Sequence, residues 1–562
     1  MRRLFIYTNF LFITLWCILF FLFQFVSYTY FTNQIIELLS IDENRRTVFL
    51  TLLSPNVFYQ LKWIFLFLLI LQIVVLIISL KKPFILQKIK DCFSAILEYP
   101  KWLWKSFKKL NKIERISLSS FIILLIIQRL WLSSITYVIY DEAWTYLAFT
   151  SKNPLVAACF YPTSNNHILF SHLTQFTKLL PFDILTNLRL STLIPNILAV
   201  ITLFICLRKY VKPLAAWCGI VLFAFSFPMV YYGFVARGYS LIVLFFIVGF
   251  FSLIEILQNF ENKKAWYRLL ISSVLGFYTI PIYLYPFVSL FGFSMIFFWV
   301  NKNKTAVLKT IKYALATCII TFAVYTPVFA VSGIQSVTSN KFVNPLSIKE
   351  VMSGFFTHIH QTFHFFTTSN NSYIFAFFLL TIIVLALKKI EFKPAIYLSI
   401  FTILMVPILI FIHKVLPVER TWIYLLVPLT FILSLLINRN KVSILVLGFS
   451  ILYSIAIQFS WNKQMLWYDE ICIEDYIQGK YFSNYFHTKK ATIITSSRMN
   501  SYLKFNKLLR NEDWEIGVNN IDSLPPKSFY IHYIEKDSIP SISENVNKIK
   551  SYHNYELYYT NN

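Results

Sequence analysis

The chain has 562 residues, 57% of them hydrophobic and 14% charged, with a mean hydropathy of +0.62 and a net charge of +25. An ordinary soluble domain is roughly half apolar and about a quarter charged, so this composition excludes a soluble globular protein. The basic residues sit in short connectors between apolar runs rather than on one polar domain, which also argues against nucleic-acid binding as the origin of the charge.

The N-terminus, Met-Arg-Arg followed by an apolar run, has the opening of a signal peptide. The run from Leu4 to Val26 exceeds the length of an h-region and no small-residue cleavage site follows, so the expectation is a retained helix. Apolar runs long enough to cross a hydrocarbon core follow at about 4–27, 57–80, 116–135, 187–207, 214–231, 239–257, 268–283, 284–300, 308–330, 372–388, 395–412, 421–437 and 442–460. The expected fold is therefore an α-helical polytopic membrane protein of about thirteen spans. Within 268–300, Pro281 and Pro286 mark either a tight turn or a kinked helix.

The connector 81–115 carries ten Lys and Arg against three acids, which places it in the cytoplasm. Alternation from there puts Arg208/Lys209/Lys212, Lys263/Lys264/Arg268, Lys302/Lys304/Lys309, Lys388/Lys389/Lys393 and Arg439/Lys441 on the same side. The loops 136–186 and 331–371, and the tail after 460, fall outside. Segment 101–113 (KWLWKSFKKLNKI) reads either as an amphipathic helix on the inner membrane face or as a plain basic linker. The division is then two N-terminal helices over 1–80, the basic connector 81–115, a transmembrane core 116–460 and an extracytoplasmic tail 461–562. In the tail, 491–497 and 528–534 read as strands and 501–509 as a helix, which together make a small α/β domain. No Gly-rich phosphate loop occurs, in keeping with only 11 Gly in the chain.

The residues most able to carry chemistry are Asp141 and Glu142 in VIYDEAWTYL, just past the end of a span. Carboxylates near membrane depth are costly and tend to be functional. The pair offers a general base with a metal or hydrogen-bonding partner, or Asp141 merely caps the helix that follows. Arg237, in the short turn YYGFVARGYSL, can pair with a phosphate or snorkel to the headgroups. Glu419-Arg420 in LPVERTW is a second phosphate or sugar contact or a local ion pair, and Arg189 is a weaker candidate of the same kind. Asn165, Asn166 and His167 can serve sugar hydroxyls. His358, His360 and His364 could place two imidazoles on one helix face for a metal, or simply decorate that helix. Cys159 and Cys472 would share the outer side, where they either pair or remain free.

The order of these features resembles the GT-C superfamily of membrane glycosyltransferases. They run from an outward helix and a YDE acidic pair, through a long loop with an NNH segment, to an aromatic YYGFVARGYSL turn. The closest likeness is to the protein O-mannosyltransferase and aminoarabinose (lipid A) transferase group, over roughly 116–460, with 1–80 as an addition. Bacterial members of that group often end in a small extracytoplasmic domain.

The resemblance implies a polyprenyl-phosphate sugar donor and a lipid, glycan or protein acceptor, with an inverting transfer on the outer face of a bacterial inner membrane. It implies Asp141 and Glu142 as catalytic, Arg237, Arg420 and Arg189 around the donor phosphate, and Asn166, His167 and Tyr232 toward the sugar or acceptor. No cofactor is required, and a divalent metal is permitted but not demanded. A transporter or flippase, or a polymerase or ligase of lipid-linked saccharides, would also use outer arginines, but has less need of an acidic base at this point.

Overall fold

The structure is a computed structural model. It describes residues 13–14, 17–18, 20–39, 43–81, 84–162, 164–338, 344–368, 393–438 and 440–461, and in the tail 463–465, 468, 478, 480–485, 492–495, 497–510, 515–518, 528–533, 546–552 and 555–560. The apolar run 372–388 and Cys472 lie outside the described residues, as does half of 4–27.

Among the described residues, seven helices are long and apolar enough to cross a membrane: Lys112–Ile135, Ile184–Leu207, Tyr239–Gln258, Pro281–Val300, Lys304–Ser332, Lys393–His413 and Glu419–Leu436. Pro213–Phe225 and Ser443–Phe459 are shorter apolar helices. The apolar windows of Ile184–Leu207 and Tyr239–Gln258 are 78% buried, while those of Lys112–Ile135 and Lys304–Ser332 are 22% buried. The first two are thus the centre of the bundle and the latter two its lipid-facing flank. Close packing at the centre uses small residues, as expected where lipid removes the hydrophobic drive between helices. A Cβ on Gly219 would crowd Ser434 Oγ and the Thr430 methyl, so glycine lets helix Pro213–Phe225 approach the Ser434 helix closely.

The run expected as one span over 214–231 is broken. Helix Pro213–Phe225 ends at Ser226, and a short turn Phe227–Tyr231 follows. Pro228 has no N–H to give the carbonyl of Ala224 four residues back. The Arg129 guanidinium, reaching over from helix Lys112–Ile135, donates to that carbonyl instead. The 281–286 region resolves as a tight turn, Pro281–Tyr283, between helices Lys263–Thr279 and Leu284–Val300.

Successive helices run alternately, so the bundle has two ends. At one end lie most of the basic connectors, tied by ion pairs: Arg208 with Glu114, Lys209 and Arg268 with Glu255, Lys264 with Glu98 and Lys309 with Glu261. Of the segment read as amphipathic helix or linker, residues 101–109 end the helix Phe84–Lys109, and after a break at Leu110–Asn111 the next helix begins at Lys112. Helix Phe84–Lys109 packs across this end, with Lys209 Nζ 5.0 Å above the Trp102 ring. At the other end lie the loop 136–183, the turn 232–238 and the start of Glu419–Leu436.

The tail contains a five-stranded sheet in the order Glu515–Val518, Thr492–Thr495, Ser528–Tyr533, Tyr555–Thr560, Val546–Tyr552. The first three strands are parallel and the last two antiparallel, with a register shift between Lys548 and Lys550. Helix Ser497–Arg510 lies on the sheet through Met499 and Leu503, against Ile493, Ile531 and Leu557. Its other side meets the loop end of the bundle: Tyr502 against Tyr140, and Phe505 against Tyr146 at 5.6 Å.

Candidate functional site

Asp141 and Glu142 open the short helix Tyr140–Thr145. Adjacent helical residues point about 100° apart, and here one carboxylate turns inward while the other stays partly accessible. Glu142 is fully buried. Its Oε1 accepts from Arg189 Nε at 2.9 Å and from the Ala236 amide at 2.8 Å. Its Oε2 accepts from Arg189 Nη2 at 2.8 Å and from the Ile139 amide at 3.2 Å. The remaining Arg189 donors go to the carbonyls of Ser133, Thr136 and Tyr137. Both groups are saturated. Glu142, expected as the catalytic partner of Asp141, and Arg189, expected near the donor phosphate, instead meet each other as a buried pair that ties the loop to helix Ile184–Leu207.

Asp141 keeps 22% of its side chain accessible. Two guanidinium groups flank its Oδ2: Arg237 Nε at 3.7 Å and Arg420 Nη2 at 3.7 Å. Both distances exceed a hydrogen bond. The three groups sum to one excess positive charge, with Asp141 and Arg420 partly accessible.

Arg237 is held from below. Its Nη1 donates to the Asn165 carbonyl at 3.0 Å and the Thr145 hydroxyl at 3.3 Å, and its Nη2 lies 2.9 Å from His167 Nε2. The irregular turn that carries it has its carbonyls satisfied by polar residues of neighbouring helices, as backbone at membrane depth requires. Thr192 donates to the carbonyls of Tyr232 and Arg237, Asn196 to that of Met229, and Ser240 to that of Tyr232. Gly238 completes the seat. Its amide donates to His167 Nδ1 at 2.9 Å, and a Cβ there would lie 2.8 Å from Thr279 and 3.0 Å from His167.

Arg420 enters on the tight turn Glu419–Leu425 and keeps 26% of its side chain accessible, over the Tyr239 ring at 5.8 Å. Two residues on, the Trp422 indole donates to His358 Nε2 at 2.9 Å. Helix Ile348–Thr367 is thereby fastened to the arginine turn, and burial pushes the His358 pKa down to about 4. His358 is thus a hydrogen-bond acceptor for an indole. Among the described residues, no group of three or more His, Cys, Asp or Glu side chains is close enough to hold a metal.

The remaining sequence candidates lie behind this front. Asn166 donates to the carbonyls of Ala157 and Phe160 and accepts from Ser171, so it shapes the loop instead of facing a sugar. His167 is buried between Gly238 and Arg237. Burial, Arg237 and Arg420 together hold its pKa well below the usual imidazole value, so it stays a neutral ring that accepts from the Gly238 amide and lies beside Arg237. Tyr232 is also buried, its ring 4.4 Å from that of Tyr239 and its hydroxyl 3.2 Å from that of Tyr468. Tyr239, also buried, lies under Arg420.

No protein-family description matches this chain, and no curated protein matches it. Among solved structures it is similar to the S. cerevisiae protein O-mannosyltransferase Pmt1-Pmt2 complex bound to the sugar donor. The identity is 15% and the TM-score 0.32, over 42% of this chain and 36% of that one. The chain thus matches about a third of that relative's length.

Sequence reading missed Thr145, Tyr239, Trp422 and Tyr468. Only Trp422 carried a usable signal, as an aromatic two residues from a flagged arginine. The others declare themselves through contacts across 92 to 236 residues of sequence.

Proposed function

We propose that this protein is a membrane glycosyltransferase. It moves a sugar from a polyprenyl-phosphate donor to an acceptor hydroxyl at the loop end of the bundle, which the positive-inside rule assigns to the outer face. The observation that carries the reading is Asp141 Oδ2 standing 3.7 Å from each of two guanidinium groups.

The chemistry follows from that charge arrangement. A donor phosphate entering between Arg237 and Arg420 neutralises the excess positive charge and takes over the two cations. Their hold on Asp141 weakens, and the carboxylate becomes a better base just when the donor is in place. An acceptor hydroxyl then gives its proton to Asp141 as its oxygen attacks the anomeric carbon. The anomeric carbon–oxygen bond breaks, and the electron pair leaves on the polyprenyl phosphate, whose charge the arginines stabilise. One displacement inverts the anomeric centre and needs no covalent enzyme intermediate.

The test is transfer of radiolabel from a panel of polyprenyl-phosphate sugars to membrane extract, using protein reconstituted in lipid. Wild type should form labelled product, and Asp141→Asn should lose about a hundredfold to ten-thousandfold in rate. Equal behaviour of the two proteins with every donor would sink the transferase reading. A translocation assay on the same lipids in sealed vesicles would then decide for the transporter.

A further inference from the structure

A cavity of about 240 Å³ opens at the first turn of helix Ile184–Leu207. The Asp141–arginine cluster does not use it. Its inner wall is polar. The Thr150 and Thr174 hydroxyls lie 2.7 Å apart, and Asn187 is buried with its Nδ2 donating to the carbonyls of Leu180 and Phe182. Asn187 Oδ1 is buried with no hydrogen-bond partner among the described residues. Leaving a buried acceptor unmade is costly, so the position calls for a donor.

The mouth has a different character. Lys178, exposed, lines it, with its Nζ 3.5 Å from the Thr150 carbonyl. No carboxylate lines the cavity. The neighbouring Asp183 is turned to its own helix, where it caps the amides of Leu185 and Thr186. Around the mouth, Phe176, Leu179, Leu180 and Phe182 are exposed, Leu179 at 81%. Exposed apolar residues in a group mark an interaction surface, and at the end of a membrane span that surface meets lipid.

We propose that this cavity is a headgroup site for an anionic membrane lipid. The lipid phosphate pairs with Lys178, a headgroup hydroxyl donates to Asn187 Oδ1, and the acyl chains lie along Phe176, Leu179, Leu180 and Phe182. The site does not depend on the reaction proposed above. It touches that reaction only through Tyr146, which lines the cavity and follows the Asp141 helix directly.

The experiment is native mass spectrometry of the full chain released from bilayers of phosphatidylcholine with or without phosphatidylglycerol. Wild type should retain phosphatidylglycerol in preference to phosphatidylcholine. Lys178→Gln should retain about tenfold less, the loss of one charge-assisted contact, and Lys178→Arg should restore it. Lys349→Gln, an exposed lysine on another element, should match wild type. Equal retention of the two lipids, or equal loss in Lys178→Gln and Lys349→Gln, would overturn the proposal. So would displacement of bound lipid by soluble glycerol phosphate, which would make the ligand a free phosphate. Asn187→Leu also breaks the ties to Leu180 and Phe182, so Lys178 carries the decision.

Discussion

The Trp422 indole and the His358 imidazole, 64 residues apart in sequence, share a hydrogen bond of 2.9 Å that ties one loop helix to the turn bearing Arg420. His358 accepts as a neutral ring, with its pKa pushed by burial from 6.5 to about 4. The unfolded chain takes up this proton near 6.5 and the folded protein only near 4. Stability present above pH 6.5 is therefore lost as pH falls toward 4. His167, shifted in the same direction, adds to the loss. Thermal unfolding in lipid should show a lower midpoint at pH 5 than at pH 7.5. His358→Gln, which can still accept from the indole but does not titrate, should flatten that dependence. An unchanged slope in the variant would remove His358 from the account.

Arg237 and Arg420 should separate when stability and turnover are measured together. Arg420 is one-quarter accessible, so Arg420→Gln should leave the melting midpoint near wild type. It should lower kcat/KM by roughly a hundredfold to a thousandfold, as loss of a cation facing developing charge does. Arg237 is buried and also holds the Asn165 carbonyl, so Arg237→Gln should cost both turnover and stability. Similar stability losses in the two variants would contradict the difference in burial.

Breaking the Glu142–Arg189 pair from one side leaves a buried charge alone. Arg189→Leu or Glu142→Leu should each destabilise by about 3–5 kcal/mol, and the double variant by clearly less than their sum. Denaturant unfolding of the four proteins measures the coupling directly. Additive losses would show that the two side chains do not act as a unit.

The tail helix should be needed for turnover but not for membrane insertion. Phe505→Ala removes a fully packed ring from the contact with Tyr146, at a cost of about 3–5 kcal/mol to that local packing. Limited proteolysis should then cut between the bundle and the tail faster than in wild type, and transfer activity should fall while membrane-extracted yield holds. Unchanged activity with a faster-cut tail would make the contact merely structural.

The apolar runs made most of the helices legible, because length and hydropathy are local properties. The broken helix at Ser226 was hidden, since its apolar run continues through Pro228 and its repair comes from Arg129, on another helix. At the site, the acidic pair stood out but its two members could not be told apart. Their difference is one of direction: Glu142 meets Arg189 from 47 residues away, while Asp141 turns toward Arg237 and Arg420 and stays partly accessible. Asn166 and Tyr232 have sugar-binding chemistry, and only the fold shows that their polar atoms are spent on the protein itself. Arg237 and Arg420 were visible as cations at span ends, and no sequence spacing could bring them to the same oxygen of Asp141.

Helix Ser497–Arg510 rests on the helix that carries Asp141, although more than 350 residues separate them in the chain. During synthesis the acidic helix is delivered early and waits uncovered while the rest of the bundle is inserted. Its contact surface closes only after the ribosome has made the tail and the tail has reached the same side of the membrane. A chain halted before this helix would leave the Asp141 helix without the Tyr502 and Phe505 rings that cover it, so a segment made late completes a surface made early.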